Sequence, residues 1–108
     1  MRIPDRIKIG GHVVAVTTHR ELKGKGVTYL GLALRSMRKI MLSKRFKGKR
    51  LPESSRAQTL LHEIVHSVVH VCGINMKERE VAALSEGLFQ VLRDNDLDFG
   101  DKKKRGKK

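Results

Sequence analysis

Between residues 57 and 71, apolar residues recur at Ala57, Leu60, Leu61, Ile64, Val65, Val68, Val69 and Val71, enough to cover most of a helix's circumference. Such a segment is expected to be the central, buried helix of a small domain. Ser55 with Gln58 three residues on, after Pro52, has the form of a capping box, and Gly73 offers a stop. These signals predict a helix over residues 56–72. After the turn Gly73-Ile74-Asn75-Met76 the pattern becomes an amphipathic stripe, Val81, Leu84, Leu88, Val91 and Leu92, which predicts a second helix over 77–93 packed on the first. The short connection makes the two helices antiparallel neighbours.

The chain before the helices reads as strands. Residues 7–9 and 13–17 flank Gly10-Gly11-His12, a hairpin signal, and residues 28–34 and 39–42 flank a second turn near Arg35-Ser36. The expected fold class is α+β: a small, mostly antiparallel sheet followed by two packed helices. Residues 1–98 are expected to form one domain and 99–108 a basic, disordered tail, since nothing apolar follows Asp101. The 39–42 strand is the candidate edge for adding an extended peptide backbone.

The first of these helices carries chemistry. His62-Glu63-Ile64-Val65-His66 is an H-E-x-x-H motif, and residues four apart on a helix lie one turn above each other, so His62 and His66 can bring two imidazoles to one metal ion. The preferred ion is zinc. Glu63, one residue round the helix, is placed to take a proton from water rather than to bind the metal. It is also the only charged residue between Arg56 and Lys77, and a shared metal and its water would satisfy the carboxylate and both imidazoles together.

A zinc site of this kind needs a third protein ligand. His70 is four residues beyond His66, but residues 62 and 70 stand about 12 Å apart along an unbroken helix, too far for one ion. The metzincin pattern fails, with Val69 in place of its glycine and Cys72 in place of its third histidine. His70 is therefore read as a supporting residue or a cation near the helix end, and Cys72 as a small core residue. The start of the second helix is the better source. Glu78 and Glu80 flank its apolar stripe, too far apart around the axis to serve together, and Glu86 lies further on. Periodicity leaves Glu78 and Glu80 open.

The run Thr59-Leu60-Leu61-His62-Glu63-Ile64-Val65-His66, then Gly73-Ile74, then Glu78, Val81, Leu84, Gly87-Leu88, Gln90-Val91-Leu92 and Asp94-Asn95, resembles small phage-type zinc metallopeptidases. These look like minimal gluzincins, distantly similar to repressor-cleaving peptidases of the ImmA/IrrE type. The resemblance covers residues 56–95 and, more loosely, Ile7-Lys8-Ile9-Gly10-Gly11. It implies a zincin-like fold, a Zn2+ cofactor, a peptide or protein substrate, Glu63 as general base, and Glu78 rather than Glu80 as the third ligand beside His62 and His66. The strongly basic middle and tail depart from the family's usual character.

Charge adds a second theme. The chain carries a formal net charge of +13 over 108 residues, and residues 35–50 hold eight lysines and arginines with no acid. Such runs attract nucleic acid through phosphate neutralisation, without sequence preference and with strong salt dependence. Only four aromatics, Tyr29, Phe46, Phe89 and Phe99, are present for stacking on bases. Glycine-lysine clusters at 24–26 and 48–50 lack Walker spacing. The apolar stretches are interrupted by His, Glu or Arg, and Met1 to Arg6 lacks the apolar core of a leader, so no membrane span or signal peptide is expected. A single cysteine excludes an intramolecular disulfide and fits a reducing, cytoplasmic setting. Tyr29 and His70 are candidates for stabilising the oxyanion. The alternative to a peptidase is a basic nucleic-acid-associated protein with a structural zinc or a silent zincin fold.

Overall fold

In the computed structural model, which describes residues 3–97, strand β1 (Arg6–Ile9) turns back into β2 (His12–His19) through Gly10 and Gly11. Both glycines have positive φ, 59° and 82°, as a two-residue hairpin turn matching the strand twist requires. Two short strands follow, β3 (Leu22–Gly24) and β4 (Val27–Tyr29), which pair only with each other. Next come β5 (Gly31–Leu34), a 3-10 turn at Arg35–Met37 and β6 (Lys39–Ser43). A ribbon of β7 (Arg45–Phe46) and β8 (Lys49–Arg50) leads into helices α1 (Glu53–Val71) and α2 (Glu78–Asp94). The architecture is α+β, a small sheet with two packed helices. The tail expected at 99–108 lies outside the described residues.

The main sheet has the order β1-β2-β6-β5. Its outer ladders are antiparallel, but β2 and β6 run parallel, with Val16 opposite Ile40 and Thr18 opposite Leu42. This places the 39–42 segment at the centre of the sheet and corrects its reading as an edge. The physical reason is burial: Ile40 and Leu42 are fully buried, and only a strand paired on both sides can sit there without orphaned backbone groups. The edge beside α1 is β5. Alternation puts Val14, Val16, Ile40 and Leu42 on the inner face, where they meet Leu60 and Ile64 of α1.

Helix α1 begins three residues earlier than expected. Pro52 is its N-cap, with φ −61° and ψ 155°, and no side chain caps it; the Pro52 carbonyl accepts the amides of Ser55 and Arg56 at 3.1 and 3.2 Å. Ser55 thus lies inside the first turn and its expected capping box does not form. At the other end Gly73 adopts φ 66°, and Ile74 N–H reaches back to the Val69 carbonyl at 2.9 Å, closing a Schellman-type end.

The helix is buried on two sides rather than all round. Leu60 faces the sheet while Ala57, Leu61 and Val65 face α2, and Val68 and Val71 remain exposed. The stripe of α2 is rotated from its expected position. Val81, Ser85 and Phe89 point inward, while Leu84, Leu88 and Val91 are 45%, 39% and 54% exposed. The aromatic Phe89 offers the larger area for burial, and α2 packs mainly on α1, so one narrow face suffices.

Candidate metal centre

His62 and His66 project from the same side of α1, their rings 4.8 Å apart between centroids. Glu78, the first residue of α2, meets both: its Oε1 is 3.0 Å from His62 Nε2 and its Oε2 is 2.7 Å from His66 Nε2. One ligand atom from each residue lies within 4.8 Å of the others. Glu80 does something else. Its Oε1 accepts the Lys77 amide at 2.7 Å, capping the start of α2. The turn after Gly73 thus delivers two acids to two tasks, one to the imidazoles and one to the backbone.

Ser85 completes the arrangement and was not anticipated from the sequence. It is buried, and its hydroxyl donates to the Ala82 carbonyl at 3.0 Å while lying 3.3 Å from His62 Nδ1. A hydroxyl has one proton, so with Nδ1 as the protonated ring nitrogen Ser85 accepts from it. That leaves His62 Nε2 facing a carboxylate oxygen at 3.0 Å. In that tautomer a cation between the Nε2 lone pair and the carboxylate would satisfy both; in the other, Nε2–H donates to Glu78 directly. A signal existed in the sequence: Ser85 follows Glu78 by seven residues on one helical face, interrupting the apolar stripe.

The donor set fits zinc. Ligand atoms of a tetrahedral site stand about 3.3 Å apart for bonds near 2.0 Å, a spacing that falls between the closest contacts, 2.7 and 3.0 Å, and the 4.8 Å limit of the group. Glu78 is 69% exposed, so its carboxylate can withdraw the few tenths of an ångström needed to admit an ion.

Of the three candidate ligands, His62 lines a cleft of about 640 Å³ whose walls also include Glu63, Tyr29, Gly31, Ser85 and Glu86. Glu63 is half-buried beside His62, and Tyr29, at the end of β4, lines the same cleft. Gly31, at the start of β5, approaches α1 so closely that a Cβ there would lie 2.7 Å from Thr59 Cγ2. The remaining sequence candidates lie elsewhere. His70 lines a separate concavity against the sheet, with Ile9 and Ile40. Cys72 is exposed, which corrects its reading as a core residue: it stands at the helix end, where α1 has passed beyond its buried faces. Among the described residues no helix is long and apolar enough to cross a membrane. Comparisons with protein-family models, curated proteins and solved structures return no match.

Proposed function

We propose that this protein is a zinc-dependent peptidase of the minimal gluzincin type. The observation that carries the reading is the Glu78 carboxylate, brought from a second helix to within 3.0 Å of both imidazole Nε2 atoms of an H-E-x-x-H motif. His62, His66 and Glu78 would hold the ion, with Ser85 fixing the His62 ring so that Nε2 faces the metal. Zinc bound there supplies Lewis acidity toward a peptide carbonyl and makes water acidic enough to attack at neutral pH. Glu63 takes the proton from the attacking water and returns it to the leaving amine. Tyr29, in the lining of the same cleft, is the candidate donor to the oxyanion. The outer edge of β5 is the candidate seat for an extended substrate backbone, since β5 ends the sheet next to α1.

A second reading draws on charge: the basic surface would associate with nucleic acid without sequence preference, the zinc being structural or the site silent. Metal content and peptide hydrolysis, measured for the natural chain and for Glu63→Gln, decide between them. The peptidase reading expects zinc in both and hydrolysis only in the first. Zinc in both with hydrolysis in neither supports the silent module.

A further inference from the structure

Next to the metal cleft lies a second concavity, of about 510 Å³, lined by Arg20, Lys44, Arg45, Arg50, Leu51 and Arg56. Of its six described lining residues five are cations, and no acid is among them. The backbone builds this convergence. Lys44 N–H donates to the His19 carbonyl at 2.7 Å, Arg45 N–H to Arg20 at 3.0 Å, and Leu51 N–H to Lys44 at 2.8 Å, tying three segments into one wall. In the ribbon, Arg45 stands directly opposite Arg50. Like charges in facing positions of a ladder destabilise it.

The acid that adjoins Arg20 in the chain is committed elsewhere. Glu21 is engaged by the Gly48 amide at 3.4 Å and by Lys23 at 3.3 Å, and the Gly48 hydrogen bond holds its carboxyl below the usual range. Arg45 spends one guanidinium nitrogen on the Gly48 carbonyl at 2.5 Å. The Nε–H of Arg56 is shut off from solvent and has no hydrogen-bond acceptor among the described residues. Guanidinium groups present a planar fork of donors that matches a carboxylate with two parallel hydrogen bonds.

Position says what the anion belongs to. Leu51 lines both concavities, and Phe46 and Ser55, in the wall of the metal cleft, are the chain neighbours of Arg45 and Arg56 in the wall of the basic one. A ligand lying in the cleft can therefore extend past Leu51 toward the guanidinium cluster. The cations converge on one compact concavity, the form that suits a discrete anionic group. We infer that this concavity is a specificity subsite that seats an acidic side chain, aspartate or glutamate, of a peptide lying in the metal cleft. The inference rests on the peptidase reading for the peptide backbone, and on the cation cluster for the acid.

The test is binding rather than cleavage, so that the two readings fail separately. The full-length chain carrying Glu63→Gln is titrated by fluorescence anisotropy with a labelled ten-residue peptide containing an Asp-Glu pair, and with its Asn-Gln counterpart. At 50 mM salt the acidic peptide is expected to bind at least about tenfold more tightly, the effect of one or two charge-assisted hydrogen bonds. The preference should fall below about threefold in Arg20→Gln/Arg50→Gln, with binding of the neutral peptide unchanged. Should that double variant fold poorly by circular dichroism, Arg50→Gln alone and the Arg20→Lys/Arg50→Lys pair serve instead. The first is expected to lose part of the preference and the second to retain it.

Equal binding of the two peptides overturns the subsite. So does displacement of the acidic peptide by a short single-stranded oligonucleotide at lower concentration, if the oligonucleotide's own affinity depends on Arg20 and Arg50, because the pocket then serves a phosphate backbone. A natural chain that cuts neutral and acidic peptides at equal rates retains the peptidase and overturns the subsite. A chain that binds the acidic peptide selectively yet cuts none retains the subsite and overturns the peptidase.

Discussion

The metal cleft and the basic concavity share Leu51, but they treat charge in opposite ways. At the first, Glu78 answers both imidazoles, Ser85 answers the remaining nitrogen of His62, and Glu80 answers a backbone amide. At the second, five cations meet with no acid among the described lining residues. A site whose polar groups match one another contributes to stability as well as to chemistry. A site of like charges does not, and it persists because backbone hydrogen bonds elsewhere hold it in shape. Altering a ligand at the first should therefore cost both metal and function, and altering the second function alone.

The sharpest break of the comparison is at the imidazoles. His62→Ala or His66→Ala is expected to reduce zinc from about one per chain to well below stoichiometric, because an open catalytic site has no ligand to spare. Metal analysis after dialysis reads this directly, and full zinc retention in both variants would remove the centre. Glu63→Gln tests the next step. Hydrolysis should fall by roughly 10² to 10⁴ while zinc and melting temperature hold, since glutamine keeps the shape but cannot take a proton.

Smaller effects separate residues within the matched site. Ser85→Ala should weaken zinc binding by about tenfold, the usual scale for a group that orients a ligand. Glu78→Gln should weaken it more than Glu80→Gln, whose effect falls on the start of α2 instead; competition with a chromophoric chelator ranks all three. The smallest effect is expected at the unmatched site. Arg50→Gln should leave unfolding free energy within about 0.5 kcal/mol of the natural chain, or raise it, because it relieves a facing like charge at an exposed position. A loss of several kcal/mol in denaturant titration would show that Arg50 has a structural partner and would erase the contrast.

What could be read in advance follows the same division. The motif helix, its Gly73 stop and the Gly10-Gly11 hairpin depend on spacing within short stretches of chain, where helical and turn geometry act directly; spacing brought the start of α2 to the histidines but left Glu78 and Glu80 open, and only the resemblance favoured Glu78. The central position of β6 did not show, because Lys39, Met41 and Ser43 alternate with Ile40 and Leu42 as an edge strand's residues would, and a parallel partner leaves no local mark. The rotation of α2 was hidden because Leu84, Leu88 and Val91 satisfy helical periodicity as well as Val81, Ser85 and Phe89 do. Only the neighbouring helix decides which flank is covered. The basic concavity was visible as charge but not as a place, since Arg20 and Arg56 stand 36 residues apart.

The parallel ladder between β2 and β6 has a consequence in time. Its register joins Ala15 to Lys39, so it forms only after the intervening chain, with the β3–β4 ribbon and β5, has closed into a loop. Such non-local pairing belongs to folding on the order of milliseconds to seconds, whereas helices form on the order of microseconds or faster. The pair α1 and α2 brings His62 to Glu78 across only 16 residues and without any strand. In refolding from denaturant, uptake of zinc by the helix pair is thus expected to precede the appearance of the Arg20 wall, which waits for the end of β2 to meet Lys44 and Arg45. Stopped-flow traces with a zinc indicator and with the acidic peptide would resolve two phases in that order, the slower one set by closure of the loop.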